Sequence, residues 1–170
     1  MKSSASDART QELFIVFVCS GNICRSPMAE IIVRDAIENA GLSDDVLLGS
    51  CGIGGWHVGE PADSRARKEL AAHGYDPSHT AAQLGAPFED ATLFVAMDAG
   101  HVSGLKRYGI PSEKIRLMRS FDPNSPRKAE VEDPYYGGVD GFVEVREQIE
   151  AAAPGIVQWV RQTLDVASAR

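Results

Sequence analysis

Cys19 and Arg25 stand at the two ends of a short segment of small and polar residues, with residues 20–24 between them. A cysteine thiolate is a strong nucleophile, and the planar guanidinium of arginine can hold two oxygens of a phosphoryl group at once. Gly21 and Asn22 tolerate positive φ, so the segment can turn its backbone N–H groups inward. This combination predicts a nucleophile at the bottom of a site that binds an anion.

The elements on either side of this turn must hold it in place. Residues 13–18 form an unbroken apolar run that is too short for a helix, which predicts a strand buried on both faces. Ser26-Pro27 opens a helical pattern, because proline suits the first turn of a helix. The turn therefore lies at a helix N-terminus, where N–H groups and the helix dipole stabilise a phosphate and the Cys19 thiolate. Attack of Cys19 on phosphorus is the chemistry that this arrangement predicts.

Two other chemistries fit the residues less well. Cys19 and Cys24 could supply half of a zinc site, but no second Cys/His pair at ligand spacing follows, and Arg25 would repel the metal. The glycine-rich residues 52–59 suggest a dinucleotide-binding fingerprint, yet His57 stands where its last glycine should fall. We therefore expect neither a metal nor a cofactor.

The remaining periodicity alternates between strands and helices, which predicts one α/β domain. Further strands are expected at residues 46–51, 92–97 and 115–118. Helices are expected from the turn to Gly41, from an Asp63 cap to about His73, after an Asp98 cap, and over residues 142–160, with a kink or interruption at Pro154-Gly155. These elements predict a four-stranded, twisted parallel sheet with helices on both faces and a phosphate-binding loop after the first strand. Residues 119–138, rich in proline and turn formers, are expected to form a long surface loop.

The string Cys-Ser-Gly-Asn-Ile-Cys-Arg-Ser-Pro-Met-Ala-Glu at residues 19–30 resembles the signature of the low-molecular-weight protein tyrosine phosphatases. Further segments follow in that family's order: Ser50 with Trp56-His57-Val58-Gly59, His79 with Gln83, Ala96-Met97-Asp98, and Asp133-Pro134-Tyr135-Tyr136-Gly137. The resemblance extends from about residue 13 to the final helix. The chain departs from it at Ala81, where many members carry arginine.

The resemblance implies a metal-free enzyme that hydrolyses phosphotyrosine. Cys19 would be the nucleophile, Arg25 would bind the phosphoryl group, and Asp133 would act as general acid and then as general base. The implied phosphate- and substrate-binding residues are Ser20, Gly21, Asn22, Ile23, Cys24, Ser26, Trp56, Tyr135 and Tyr136. From the residues alone, Asp133 could equally be a turn aspartate before proline.

Four of these residues carry further expectations. Ser50 and His79 would brace the loop by hydrogen bonds. Cys24 lies close enough in the turn to trap an oxidised Cys19 as a disulfide, which would make the enzyme redox-sensitive. Ile23 resembles the tyrosine-selective branch of the family, because relatives selective for phosphoarginine carry threonine there.

Two rival functions differ in reaction class. An arsenate reductase would share the Cys19 and Arg25 turn but would relay electrons through further cysteines, and only Cys51 follows. A phosphotyrosine-binding module would bind without turnover, which is hard to reconcile with a nucleophile, an arginine and an acid all present.

Composition limits the partners and the compartment. The net charge of −7 argues against nucleic acid and anionic membranes, both of which require a basic face. Residues 1–11 lack the apolar core of a signal peptide and predict a disordered tail, which leaves residues 12–170 as the phosphatase domain. Three cysteines, an odd number, favour a reducing, cytoplasmic location, although export without a signal peptide stays open. The expected partners are proteins that contain phosphotyrosine, with a cognate tyrosine kinase as a further candidate.

Overall fold

Four parallel strands form the sheet of the computed structural model, which describes residues 13–168. The strands are β1 Leu13–Cys19, β2 Val46–Gly52, β3 Leu93–Ala96 and β4 Ile115–Leu117, arranged in the order β2-β1-β3-β4. The predicted α/β class and four-stranded sheet are confirmed. The tail predicted at residues 1–11 lies outside the described residues.

Four helices connect and follow these strands: α1 Arg25–Asn39, α2 Ser64–Ala72, α3 Ala99–Tyr108 and α4 Val139–Ser168. Asp63 caps α2 by accepting the N–H of Arg65 at 2.8 Å, as predicted. Asp98 caps α3, and His101 completes a reciprocal capping box with it. None of the described helices is both long and apolar enough to cross a membrane.

The side chains of β1 divide the core into two layers, because successive residues of a strand point to opposite faces. Ile15 and Phe17 pack among residues of α1 and α4, whereas Val16 and Val18 pack with Leu105 of α3. The chain leaves β1 toward β2 on one side and later returns as β3 on the other. The end of β1 is therefore a topological switch point, where parallel sheets open a crevice at their carboxyl edge.

The C-terminal helix is not interrupted at Pro154-Gly155, so that alternative in the prediction is wrong. A proline inside a helix costs about 3 kcal/mol. Ile156 and Val160, just beyond it, are fully buried, and each such side chain stabilises the fold by roughly 1.5 to 3 kcal/mol. Gly155 lets α4 pack closely against Phe121, because a Cβ on residue 155 would overlap the carbonyl oxygen of Phe121.

Residues 119–138 do not simply run over the surface. Phe121 and Val131 are buried, and the N–H of Val131 donates to the carbonyl of Met97 at 2.9 Å. This hydrogen bond holds the loop beside the end of β3. Asp133, two residues after Val131, therefore lies at the same carboxyl edge of the sheet as Cys19.

Candidate active site

The turn between Cys19 and Arg25 directs its backbone N–H groups into a concavity. Its carbonyl oxygens bond outward: those of Cys19 and Ser20 accept the N–H groups of residues 53 and 54, both at 2.9 Å. The carbonyl of Ile23 accepts the N–H of Asp63 at 2.8 Å. Within the described residues, no N–H of residues 20–24 donates to a protein acceptor. Asn22 has the positive φ, +62°, that this curvature requires. The result is a ring of free donors suited to an anion.

A chain of hydrogen bonds leads from the protein interior to the sulfur of Cys19. Ser50 Oγ donates to Glu30 Oε1 at 2.6 Å and accepts from Asn22 Nδ2 at 3.0 Å. Asn22 Nδ2 also donates to Ser26 Oγ at 2.7 Å. Since Ser26 Oγ accepts that bond, its own hydrogen can point at Cys19 Sγ, which lies 2.9 Å away. The Ser26 hydroxyl is thus placed to donate a hydrogen bond to the sulfur of Cys19.

The underside of the turn is held by the segment around His79. His79 Nε2 donates to the carbonyl of Asn22 at 2.8 Å, and the N–H of Ala82 donates to Asn22 Oδ1 at the same distance. Burial lowers the pKa of His79, so its ring is neutral near pH 7. Ala81, in the same segment, is buried, and its N–H and carbonyl pair with Glu60 and Gly59.

Arg25 is almost fully buried, with only 2% of its surface exposed. Its Nη1 donates to Asp98 Oδ2 at 2.8 Å and to the carbonyl of Val131 at 2.9 Å. Burial alone would raise the pKa of Asp98, but the bond from Arg25 and the nearby His101 bring it below its usual value, so Asp98 is a carboxylate. Within residues 13–168, Nε of Arg25 has no acceptor, and this edge of the guanidinium remains available to two oxygens of a ligand.

A pocket of about 400 Å³ opens above the turn. Its lining brings together most of the residues that the sequence predicted: Cys19, Ser20, Gly21, Ile23, Cys24, Arg25, Trp56, His57, Asp133, Tyr135 and Tyr136. Trp56 and Tyr136 are largely exposed at its rim, and the two tyrosine rings meet edge to face at 5.0 Å. Asn22, Ser26, Ser50 and His79 are not among the lining residues, and their contacts place them behind the turn.

Asp133 stands at the edge of the pocket with 40% of its side chain exposed. Its Oδ2 lies 3.7 Å from Arg25 Nη2, and its Oδ1 accepts the N–H of Tyr135 at 3.0 Å. Arg65 holds the following residues by donating to the carbonyls of Tyr135 at 3.1 Å and Gly137 at 3.2 Å. Asp63 in turn fixes Arg65, and the Arg65 bond lowers the pKa of Asp63.

Five residues of this site were missed by the sequence reasoning. His57, Asp98 and Glu30 lie inside the strings that matched the family, and His101 is the third helical residue after the Asp98 cap, so each had a local signal. Arg65 had none, since it is one of several basic residues in an ordinary helix.

Cys24 and Cys51 are buried free thiols in the neighbourhood of Cys19. Burial raises the pKa of Cys51 to about 12 and raises that of Cys24 well above its usual value, with the Cys19 charge adding to both effects. Both therefore stay protonated near pH 7. Within residues 13–168, no three His, Cys, Asp or Glu side chains are grouped to hold a metal ion.

Comparisons with known proteins point to the same kind of site as the geometry does. Residues 14–166 match the family model described as low molecular weight phosphotyrosine protein phosphatase. The chain is 48% identical over 153 residues to low molecular weight protein-tyrosine phosphatase A of Mycobacterium tuberculosis, covering 89% of this chain and 94% of that protein. It is also 48% identical over 157 residues to the low molecular weight protein-tyrosine-phosphatase of Streptomyces coelicolor, covering 89% and 95%.

A solved structure shares the fold. The crystal structure of a protein tyrosine phosphatase from Entamoeba histolytica, with Hepes in its active site, matches with a TM-score of 0.83 at 32% identity. The match covers 89% of this chain and 98% of that one. Residues 14–166, which match the family model, contain every residue that lines the pocket.

Proposed function

The chain belongs to the low molecular weight phosphotyrosine protein phosphatase family and is a protein tyrosine phosphatase, and we propose that it hydrolyses phosphotyrosine through a phosphocysteine intermediate on Cys19. The observation that carries this mechanism is that Cys19 lines the same pocket as the turn of residues 20–24, whose N–H groups have no acceptor within residues 13–168. A nucleophile at the centre of an anion site reaches phosphorus directly.

The phosphoryl group binds first. The free N–H groups of residues 20–24 and the Nε–Nη2 edge of Arg25 receive its non-bridging oxygens, and the dipole of α1 adds a favourable potential. Asp98 and the Val131 carbonyl fix the opposite side of the guanidinium, so Arg25 loses little freedom on binding. The bound phosphoryl group is thereby oriented so that Cys19 Sγ can attack phosphorus.

The first chemical step transfers the phosphoryl group to sulfur. The Cys19 thiolate, held by the Ser26 hydroxyl, forms an S–P bond while the bond from phosphorus to the phenolic oxygen breaks. Protonated Asp133 gives its proton to that oxygen, so the phenol leaves as a neutral molecule. Trp56, Tyr135 and Tyr136 supply aromatic walls for the departing ring.

The second step releases phosphate. Asp133, now a carboxylate, takes a proton from a water molecule, whose oxygen bonds to phosphorus as the S–P bond breaks. The products are inorganic phosphate and the Cys19 thiolate. The 40% exposure of Asp133 lets water approach without a large movement of the loop.

The rival reactions fit this site less well. An arsenate reductase requires further accessible cysteines to carry electrons outward, whereas Cys51, the cysteine that follows the turn, is fully buried. A module that only binds phosphotyrosine needs no general acid, yet Asp133 places a carboxylate in the lining of the pocket. These contacts favour turnover.

Hydrolysis of p-nitrophenyl phosphate in the presence of EDTA tests the proposal. The parent should release p-nitrophenol, and Cys19→Ser should lose that activity while remaining folded, because a hydroxyl of high pKa cannot replace a thiolate. Activity of Cys19→Ser within tenfold of the parent would contradict the mechanism.

The role of Asp133 is tested by varying the leaving group. Asp133→Asn should lower turnover of phenyl phosphate by roughly 10²- to 10⁴-fold, with a smaller loss for more acidic phenols that need no proton. Asp140→Asn, an exposed acid at the start of α4, is the matched control and should leave the rates unchanged. An equal loss across the series in Asp133→Asn would assign the general acid elsewhere.

Phosphotyrosine-containing proteins are the substrate class that membership of the family implies. We further propose a cytoplasmic location, because the cysteines near the nucleophile are free thiols and the mechanism requires Cys19 reduced. A cognate tyrosine kinase is proposed from the reaction itself, which consumes a kinase product. Trapping with Asp133→Ala in native lysate, read by phosphosite mass spectrometry, would identify the substrates.

A further inference from the structure

Ser20 presents a hydroxyl on the wall of the pocket, beside the edge of Arg25 that receives the phosphoryl oxygens. Its Oγ lies 2.9 Å from Nε2 of His101 and 3.4 Å from Nη2 of Arg25. Within residues 13–168, these are the hydrogen-bond contacts of Ser20 Oγ. The orientation of this hydroxyl therefore depends on which of these groups donates.

His101 is a donor toward Ser20. The backbone N–H of Asp98 has a direction fixed by its peptide plane, and it points at Nδ1 of His101 at 3.2 Å. Nδ1 must accept this bond, which excludes a proton there, although Asp98 Oδ1 also lies 3.2 Å away. The proton of the neutral ring therefore sits on Nε2 and faces Ser20 Oγ.

The surroundings of His101 keep the ring neutral. It is 4% exposed. Burial and the neighbouring Arg25 of α1 lower its pKa to about 4, and the carboxylates of Asp98, Asp133 and Glu130 only partly oppose them. At neutral pH, the tautomer with its hydrogen on Nε2 is the one that lets Nδ1 accept the Asp98 N–H and lets Nε2 donate to Ser20 Oγ.

Ser20 Oγ thus accepts from both His101 and Arg25, and its own hydrogen has no acceptor in the described part of the chain. A hydroxyl with both acceptor directions occupied has one direction left for its hydrogen. Because Ser20 lines the pocket next to Arg25 Nη2, an oxygen held by Arg25 would lie beside that hydrogen.

We propose that the Ser20 hydroxyl is a side-chain donor to a non-bridging oxygen of the bound phosphoryl group, and that His101 is the residue that positions it. This inference rests on the proposed phosphatase function and adds to the anion site one side-chain hydrogen bond besides Arg25. Two residues that lie on different elements, the turn and α3, thereby act as one unit.

The interaction should be present throughout the reaction. The non-bridging oxygens carry negative charge in the substrate, in the transition state and in free phosphate, so this donor binds all three. Loss of such uniform binding raises KM and the inhibition constant of phosphate, with little effect on kcat. A hydrogen bond to a charged group corresponds to about a 10- to 100-fold change in affinity.

Ser20→Ala and Ser20→Thr test the donor. With p-nitrophenyl phosphate as substrate, Ser20→Ala should raise KM and the inhibition constant of inorganic phosphate by about 10- to 100-fold, with kcat within about threefold of the parent. Ser20→Thr keeps the hydroxyl and should stay near the parent in both constants. Ser103→Ala, an exposed serine of α3, is the control for the assay.

His101→Gln separates positioning from helix capping. A glutamine at this place can still accept the Asp98 N–H, as in an ordinary capping box, but it does not reproduce the donor toward Ser20. It should therefore raise the phosphate inhibition constant by about 3- to 10-fold in the parent and by less than about 1.5-fold in the Ser20→Ala background. Thermal unfolding of each variant shows whether the fold is kept.

The outcomes distinguish this inference from the proposed function. Calorimetric binding of inorganic phosphate to the parent and to Ser20→Ala reports the donor without any turnover. If the parent hydrolyses the ester and Ser20→Ala binds phosphate as tightly as the parent, the donor role is overturned and the phosphatase function stands. If His101→Gln has equal effects with and without Ser20, His101 does not act through Ser20. If the parent binds phosphate but hydrolyses nothing, the proposed function fails instead.

Discussion

Nη2 of Arg65 donates both to the carbonyl of Tyr135 at 3.1 Å and to Oδ2 of Asp63 at 2.9 Å. The N–H of Asp63 in turn donates to the carbonyl of Ile23 in the phosphate-binding turn at 2.8 Å. Arg65 also lies over the rings of Phe142 and Tyr135. A short path of contacts therefore connects the loop of Asp133, the proposed general acid, to the turn of Cys19, the proposed nucleophile.

Replacing Arg65 by methionine should impair proton donation more than phosphate binding. Methionine keeps an apolar stem over Phe142 but loses the bonds to residues 135 and 137, so Asp133 is held less well. We expect kcat for phenyl phosphate to fall by roughly tenfold, well short of the loss of the acid itself, with less effect on esters of acidic phenols.

The control for Arg65→Met is Arg67→Met, because Arg67 is on the same helix but donates to the carbonyl of Ala62 and not to the acid loop. Steady-state kinetics over a series of substituted phenyl phosphates measures the effect. If Arg65→Met weakens binding of inorganic phosphate as much as it slows phenyl phosphate, Arg65 supports the turn and not the acid.

Ile23 lines the same pocket as Cys19, Trp56 and the two tyrosines, and it is 8% exposed. Ile23→Thr replaces part of an apolar wall by a hydroxyl that can accept a guanidinium N–H. We expect the ratio of kcat/KM for phosphoarginine to that for phosphotyrosine to rise by about tenfold, the effect of one hydrogen bond.

The matched control is Ile23→Val, which has the shape of threonine but no hydroxyl. Release of phosphate from both substrates gives the ratio directly. An equal rise in Ile23→Val would attribute the change to space in the pocket, and no rise in either variant would remove Ile23 from substrate selection.

Cys24 lines the same pocket as Cys19, whereas Cys51 is fully buried behind it. We predict that peroxide oxidises the Cys19 thiolate to sulfenic acid, and that the Cys24 thiol then condenses with it, releasing water and forming a disulfide. Activity lost to peroxide should therefore return with dithiothreitol. Cys24→Ser should start active but should recover little, because Cys19 proceeds to irreversible oxidation.

Peptide mapping of the oxidised parent identifies the partner of Cys19, and Cys51→Ser serves as the comparison variant. A disulfide between Cys19 and Cys51, or full recovery of Cys24→Ser under the same peroxide dose, would contradict the protective role of Cys24.

His101 should make the stability of the fold depend on pH. Burial and Arg25 hold its pKa at about 4, compared with about 6.5 in an unfolded chain, so the unfolded state binds a proton first. The contribution of the neutral His101 ring to the free energy of unfolding is fully present above pH 6.5 and is lost as the pH falls toward 4. This contribution is on the order of 3 kcal/mol.

Urea unfolding between pH 7 and pH 4 measures this linkage. The free energy of unfolding of His101→Gln should fall less steeply over that window than that of the parent. Equal slopes for the parent and His101→Gln would mean that His101 titrates in the folded state as it does in the unfolded chain.

The sequence by itself determined the fold class and the phosphate-binding turn, because the signals for both are local. An apolar run, two residues that tolerate positive φ and a helix start are adjacent along the chain, and together they position Cys19 and Arg25. The caps at Asp63 and Asp98 are equally local, each confined to one helical turn.

Tertiary structure alone decided what surrounds the turn. Arg25 meets the Val131 carbonyl across 106 positions of sequence, Ser20 meets His101 across 81, and Arg65 meets the Tyr135 carbonyl across 70. Periodicity and propensity contain no information about contacts at such separations, because these contacts depend on which strands become neighbours in the sheet. For the same reason, the helix that continues through Pro154 could not be foreseen: long-range burial of Ile156 and Val160 outweighs a local preference to break.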